Sequence, residues 1–296
     1  MNESLAFKKV GMEDRNFIVA ATKPLERFLS CEYSFFNLMV WGEMFDVEWT
    51  LWRGVPLIRV GRDDVCLFPL LDGISSGDLH GLSERLRSKG FSGSFVQVPQ
   101  VFLDANPDVD EFFEPRANRD CADYIHSLER LVELRGTKLR KKRAFVKRFK
   151  EDNAGVEVVD LEPVLFRECW ELAERNMDGT ETSMDELGAL KRAFEFFGEF
   201  GGDGIAVLLN GDVVAFSIFS RHLDGTCLVN FEKADRSFPG LAQFVNWATA
   251  TKLRSLDVCE FLNREQDLGV PGLRKAKKSY DPDIILENHD LTPLGR

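Results

Sequence analysis

Two similar runs of short strands, one in each half of the chain, constrain the fold more than any other feature. Each run has three strand-like segments separated by turn residues, then a helix, then another strand. In the first half these segments are Val47–Trp52, Pro56–Val60, Val65–Leu70, Ser75–Lys89 and Phe95–Val98. In the second half they are Ile205–Asn210, Val213–Arg221, Thr226–Glu232, Pro239–Leu253 and Val258–Asn263. Asn210-Gly211 is a strong hairpin signal. The pattern predicts an α+β chain of two domains, 1–152 and 153–296, each a mostly antiparallel sheet flanked by helices.

The composition excludes several classes of protein. Hydrophobic residues make up 44% of the 296 residues, which is enough to build cores, and the net charge of −11 argues against non-specific DNA binding. The six cysteines form no CxxC pair and the four histidines have no ligand spacing, so we predict reduced thiols and no metal site. No uncharged apolar run approaches the ~18 residues that span a bilayer, and no signal peptide is evident. We therefore expect a cytoplasmic protein whose lipid contacts are at most peripheral, and we leave its oligomeric state open.

A basic segment at 135–150 is the first candidate for chemistry. Nine of its sixteen positions are Lys or Arg and none is acidic, although the chain as a whole is acidic. We predict a helix that presents Lys138 and Lys142 on one face and Arg143 on another, with Phe145 and Phe149 at its buried edge. Such a helix suits a phosphate, a nucleotide or an RNA backbone, and the alternative is a basic face docked on an acidic partner surface or domain.

The second candidate is the segment Cys259–Pro282, CEFLNREQDLGVPGLRKAKKSYDP. A strand is predicted to end at Asn263. The loop after it holds Arg264, Glu265 and Asp267 and closes at Gly269, and the next helix includes Arg274 and Lys277. Polar groups between a strand end and a helix start commonly form ligand sites, so anion binding and acid–base chemistry both fit. The alternative is a salt-bridge network that only ties the loop down.

The third candidate is the strand and loop Asn230–Gly240, NFEKADRSFPG. Asn230 and Glu232 share one face of the strand because side chains alternate, which makes Glu232 a candidate general base. Arg236 and Gly240 precede a helix whose first N–H groups are free to bind phosphate. A lone Glu at a strand end is more often structural, so this role stays open.

These segments resemble a bacterial family related to the C-terminal domain of lysylphosphatidylglycerol synthases. The resemblance rests on Tyr124–Phe149, with its GxKxxKKRxxxxRF pattern, and on NFEKAD and NREQDLGVPGLRKAKKSYDP. It covers nearly the whole chain, although the first half matches only in general pattern, as at Phe35–Trp41. It implies two tandem GNAT-like (acyl-CoA N-acyltransferase-like) domains. It also implies a site that includes Lys138, Lys142, Arg143, Asn230, Glu232, Arg264, Glu265, Asp267, Arg274, Lys277 and Tyr280.

The resemblance also implies an activity, since the named relatives transfer an aminoacyl group from tRNA to a lipid. We therefore expect a transferase whose donor is aminoacyl-tRNA or acyl-CoA and which needs no resident cofactor. Glu232, Glu265 or Asp267 would accept a proton and Tyr280 would protonate the leaving group. The transmembrane part of the lysyltransferases is missing from this sequence, so a lipid acceptor is not implied. Two alternatives remain open: a non-catalytic module that binds RNA or an anionic metabolite, and an interaction protein whose basic helix docks on an acidic partner.

Overall fold

The computed structural model of the protein describes residues 5–177 and 179–295. The chain forms two compact units, one of Met1–Ala122 with Leu286–Arg296 and one of Asp123–Ile285. The boundary between these units comes earlier in the chain than residue 152, so the basic segment belongs to the second unit. The division into 1–152 and 153–296 remains a prediction from the sequence.

The first unit is built on an antiparallel meander. Its strands are β1 (Lys8–Lys9), β2 (Val47–Trp52), β3 (Val55–Val60), β4 (Val65–Leu67), β5 (Ser94–Pro99) and the first part of β6 (Phe113–Ser127). Its helices are α1 (Arg15–Ala21), α2 (Phe35–Val40), α3 (Ser76–Arg87) and α4 (Gln100–Ala105). Ser75 caps α3 through a reciprocal capping box with Asp78, which explains why that helix begins where the sequence predicts it. The chain returns at its end to add a strand, Ile284–Pro293, between β5 and β6.

The second unit repeats this order of elements. After α5 (Leu128–Glu133) and α6 (Arg140–Asp152) come β7 (Val156–Asp160), α7 (Phe166–Arg175), α8 (Glu181–Glu195), β8 (Gly202–Leu209), β9 (Asp212–Leu223), β10 (Thr226–Ala234), α9 (Leu241–Leu256), β11 (Phe261–Asn263) and α10 (Pro271–Lys278). The returning strand Ile284–Pro293 is β12. Strands β7 to β10 pair antiparallel, and the end of β6 pairs antiparallel with β11. The predicted meanders are therefore present, and the fold is a mixed α+β sheet with helices.

Each unit contains one parallel strand pair joined by a helix, and this feature positions the site. In the second unit β10 and β11 are parallel, but their pairing ends at Leu228 and Asn263. Strand β10 continues to Ala234 while β11 ends at Asn263, so the ladder of backbone hydrogen bonds between them opens at this point. In the first unit β4 and β5 are likewise parallel, and their pairing ends at Leu67 and Val96.

The basic helix α6 is anchored by apolar residues other than those expected. Val146 and Phe149 are buried, and the Phe149 ring lies 4.9 Å from that of Phe244 on α9. Phe145, which was predicted to mark the buried edge, is 46% exposed, so that prediction is wrong. The reason is the helical period: Val146 and Phe149 define the buried face, and Phe145 lies about 100° around the helix from Val146. The helix begins only at Arg140. Lys138 therefore lies in the turn before the helix.

Strands β1 and β12 and the first part of β6 were not predicted. Strand β6 has 15 residues, but its first part is mostly polar and partly exposed, so that part has no pattern that identifies a strand. Strand β12 has the same mixed character.

Four of the six cysteines are buried, and Cys121 and Cys259 are partly buried. Within the described residues, no helix combines the length and apolar character needed to cross a membrane.

Candidate functional site

The candidate site lies in the second unit, where β10 and β11 part. The loop after β11 turns sharply, with left-handed backbone at Glu265 and Leu268 (φ 55° and 51°). Asn263 is fully buried and fixes the start of this turn. Its Nδ2 donates to Asp123 over 3.0 Å, and its Oδ1 accepts from the backbone N–H of Glu265 over 2.7 Å. Both ends of the Asn263 amide are therefore used to hold the loop.

Asp267 is the anchor of this loop. It is 0% exposed, and its carboxylate accepts hydrogen bonds from the Tyr124 hydroxyl, from Arg274 Nη2 at 2.7 Å and Nε at 3.0 Å, and from the N–H of Gly269. Burial pushes the pKa of Asp267 upward, but these hydrogen bonds outweigh burial and lower the pKa to about 2. A carboxylate so fully engaged is a poor proton acceptor and a good structural tie.

Lys277 also serves the loop. Its ammonium donates to the backbone carbonyls of Arg264, at 2.6 Å, and of Gln266. Arg274 is committed to Asp267 in the same way. Both cations therefore tie down the loop, which was the alternative interpretation of this segment. Ligand binding by Arg274 or Lys277 stays a prediction.

A second polar cluster spans the opening and is less fully engaged. Glu232 on β10 accepts from Arg264 Nη2 at 3.1 Å and from Asn246 Nδ2, on α9, at 3.2 Å. The side chains of Glu232 and Arg264 are 18% and 12% exposed. Two atoms of the cluster, Arg264 Nη1 and Asn246 Oδ1, are buried with no hydrogen-bond partner in the described structure. The cluster thus has one charged donor and one acceptor in reserve.

The ring of Tyr280 brings the basic helix to this cluster. Lys142 Nζ lies 4.3 Å from the ring centroid and the Arg264 guanidinium 4.7 Å, so two cations contact one buried tyrosine. Burial lowers the pKa of Lys142, and the positive charge of Arg264 lowers it further. Burial also raises the pKa of the Tyr280 hydroxyl, against the opposing charge of Arg264. The two segments, far apart in the sequence, therefore meet at Tyr280.

The remaining predicted residues divide between the cluster and its surroundings. Asn230 donates to Glu265 over 3.0 Å across the opening. Lys138 pairs with Asp281 at 2.7 Å, and Arg143 Nη1 donates to the carbonyl of Leu134 at 2.6 Å, so both serve other contacts. Arg236 is exposed in the loop before α9.

Gly240 begins α9 in a conformation that favours glycine. Its φ is 89°, and a Cβ there would lie 3.0 Å from the carbonyl oxygen of Phe145. The close packing of α9 on α6 accounts for the glycine. A phosphate contact at Gly240 stays a prediction.

Some residues of the site escaped sequence reasoning. Asn246 is 1% exposed on α9, and a polar residue at a buried helix position was the available signal. His126, on β6, is also 1% exposed and has its ring edge-on to Tyr280, with centroids 6.4 Å apart. Burial, together with the charges of Arg264 and Arg130, lowers the pKa of His126 to about 3. The site therefore contains a neutral imidazole at physiological pH.

Comparison with known proteins agrees with the resemblance. Residues 25–288 match the family model described as phosphatidylglycerol lysyltransferase, C-terminal. No curated protein gave a match.

Solved structures extend this result. A conserved protein of unknown function from Bacteroides thetaiotaomicron VPI-5482 is 28% identical, with a TM-score of 0.89 over 98% of this chain and 100% of that one. The structure of L-PGS from Bacillus licheniformis is 13% identical, with a TM-score of 0.62 over 93% of this chain and 95% of that one. A tandem GNAT protein from the clavulanic acid biosynthesis pathway is 11% identical, with a TM-score of 0.50 over 99% of each chain. The two distant neighbours show a shared GNAT-like fold.

Proposed function

The chain belongs to the phosphatidylglycerol lysyltransferase C-terminal family, and from this premise we propose that it is an acyl- or aminoacyltransferase. Its donor would be a phosphate-bearing activated molecule, aminoacyl-tRNA or acyl-CoA, bound at the opening between β10 and β11. The observation that supports this most directly is the buried, unpartnered Nη1 of Arg264 beside Lys142.

The charges of the cluster favour an anion. Lys142 and Arg264 both contact the Tyr280 ring, whereas Glu232 is the carboxylate paired with Arg264. Burial disfavours the charged form of Lys142, and a bound anion would offset that cost. The spare N–H of Arg264 would add a charge-assisted hydrogen bond, which is shorter and stronger than a neutral one.

Glu232 is the best candidate for the general base. It accepts one hydrogen bond on each carboxylate oxygen and keeps acceptor capacity, whereas Asp267 is fully engaged. In the proposed step the acceptor's amine or hydroxyl attacks the carbonyl carbon of the donor and gives its proton to Glu232. The bond to the leaving tRNA hydroxyl or CoA thiol then breaks, and Tyr280, whose raised pKa keeps it protonated, supplies a proton to that group.

Exposed basic residues on α6, next to the site, would suit a donor as large as tRNA as well as a small one. Outward residues of α6, Arg140, Lys141 and Lys147, are exposed and provide positive charge for a tRNA backbone. The repeated order of elements supports a tandem origin for the two units, each GNAT-like. A cytoplasmic location, with at most peripheral contact to lipid, fits this function.

The test uses the purified chain with charged tRNA or acetyl-CoA as donor and a radiolabelled acyl group. Glu232→Gln should abolish transfer and keep donor binding, because it removes the base and leaves the cations. Arg264→Met should weaken donor binding. Glu195→Gln and Arg254→Met, at exposed positions of the same unit, are the matched controls.

Each outcome distinguishes the function from its alternative. Binding that depends on Arg264 without any transfer by the unaltered protein would favour the non-catalytic module. Equal transfer by Glu232→Gln and the unaltered protein would exclude Glu232 as the base. Equal donor affinity in Arg264→Met and the unaltered protein would refute the proposal that the donor binds at Arg264.

A further inference from the structure

The first unit also has an opening between parallel strands. Pairing of β4 with β5 ends at Leu67 and Val96, with one more hydrogen bond from the Phe68 N–H to the Val96 carbonyl. The next residue of β5, Gln97, has a left-handed φ of 59° in the middle of a strand. Such backbone strain in a residue other than glycine persists only where the surroundings enforce it, and it is frequent at ligand sites.

One cavity is lined by Gln97, and it shares the lining residues Leu25 and Leu70 with a second, larger one. The larger, outer one is a cleft of about 540 Å³ with Ala20, Ala21, Pro24, Val55 and Leu71 among its lining residues. Its charged lining residues are Lys23 and Asp72, one of each sign, so its walls carry no net charge. The smaller, inner one measures about 20 Å³ and is lined by both apolar and polar residues, and Gln97 and Asn288 are among the polar ones. A space of that size holds one water-sized group. Together they suit a molecule with a small polar head and an apolar body.

The inner cavity specifies the head by its hydrogen bonding. Gln97 is 6% exposed and Asn288 4%, and neither Gln97 Oε1 nor Asn288 Nδ2 has a hydrogen-bond partner in the described structure. Leaving such groups unpaired is costly, so the pair favours a guest that accepts from the Asn288 N–H and donates to the Gln97 oxygen. A hydroxyl does both and is the size of a water molecule.

The charges around the inner cavity restrict the head further. Glu26 and Glu287 also line it, and no Lys or Arg is among its lining residues. Carboxylate or phosphate heads are therefore disfavoured. An ammonium head would suit the two glutamates, but it could not accept the hydrogen bond that Asn288 offers.

We infer that the first unit binds a neutral, hydroxyl-bearing molecule with a short aliphatic body, its hydroxyl between Gln97 and Asn288 and its body in the cleft beyond Leu25 and Leu70. This site shares no residue with the anion site of the second unit. The inference therefore does not depend on the proposed transferase activity.

The test is an NMR titration of the full chain with 1-hexanol, following the side-chain amide signals of Gln97 and Asn288. We expect saturable binding at about millimolar concentration. Hexanoate and hexylamine, with the same aliphatic body, should bind more weakly. Gln97→Gly removes the acceptor and relieves the backbone strain, so it should keep the fold and weaken binding about tenfold, as for one buried hydrogen bond.

Asn288→Leu provides a second arm, and it should weaken binding to a similar extent. Gln100→Ala, an exposed position on α4, is the matched control and should bind as the unaltered protein does. The inference is overturned if hexanoate or hexylamine binds as tightly as 1-hexanol. It is also overturned if Gln97→Gly leaves the affinity unchanged, or if the crystal structure with 1-hexanol shows an ordered water only between the two amides.

Discussion

Protonation of His126 should destabilise the folded protein in acid. The imidazole is buried on β6 beside the second-unit site, where burial is the main cause that lowers its pKa to about 3. Positive charge on Arg264, Arg130 and Lys277 adds to this, and Asp281 opposes it. In the unfolded chain His126 titrates near its ordinary pKa of about 6.5. The unfolded state therefore binds the proton more tightly, so stability is complete above pH ~6.5 and declines as pH falls towards 3.

The size of the effect follows from the two pKa values. At pH 4.5 the unfolded His126 is almost fully protonated and the folded one is almost fully neutral, so the loss is about 3 kcal/mol relative to pH 7.5. His126→Leu removes the titration. The unaltered protein should therefore lose about 3 kcal/mol more than the variant between these pH values. This difference does not depend on how much His126→Leu destabilises the protein at pH 7.5.

Urea unfolding followed by tryptophan fluorescence at both pH values gives this difference. NMR of histidine-labelled protein gives the pKa directly, since the resonance missing from His126→Leu belongs to His126. A missing resonance that titrates near pH 6.5, or equal losses of stability in the two proteins, would refute the assignment of a buried neutral imidazole.

Three further predictions concern packing and the loop anchor. Asp267→Asn should lower the free energy of unfolding by about 2–3 kcal/mol, because Arg274 loses a charged acceptor, and thermal denaturation measures it. Gly240→Ala should cost about 1–3 kcal/mol, because φ is 89° and the Phe145 carbonyl lies 3.0 Å from the new Cβ; Gly136→Ala, at φ 86° with open space around it, separates strain from crowding. Phe149→Ala should lower the free energy of unfolding by about 3–5 kcal/mol, and Phe145→Ala by under about 1 kcal/mol, as measured by urea unfolding. Equal losses in the two variants would contradict the finding that Phe149 is buried and Phe145 is exposed.

The order of elements was accessible from the sequence because local signals and tertiary contacts agree there. The Asn210-Gly211 turn fixes β8 and β9, and the capping box at Ser75 fixes α3. The first part of β6 and all of β12 were missed because each contributes mixed polar residues to its sheet, so neither has the alternating pattern that identifies a strand. Their pairing depends on long-range contacts that no local window contains.

The candidate site was predictable only in part. The sequence identified the two cations that meet at Tyr280, Lys142 and Arg264, through the charged segments and the family resemblance. It missed His126, and it could not say which charges neutralise each other. In the sequence, Lys277 and Arg274 are typical of ligand-binding cations. Only the structure shows that Lys277 donates to backbone carbonyls and that Arg274 pairs with Asp267. Nor does the strand Ser94–Pro99 reveal that Gln97 adopts a left-handed backbone, since glutamine gives no such signal.

The contrast between Asp267 and Glu232 gives a physical criterion for function in this cluster. Both are acids beside an arginine, so composition does not separate them. Asp267 is surrounded by four donors that hold its pKa near 2, and this stabilises the loop while removing any tendency to take a proton. Glu232 has two donors, and the groups that hold it, Arg264 and Asn246, each retain an unpartnered buried atom. Buried polar groups are seldom left unpaired, so a bound ligand would supply the missing hydrogen-bond partners of these two atoms. The loop that Asp267 anchors would hold Arg264 in position for that contact.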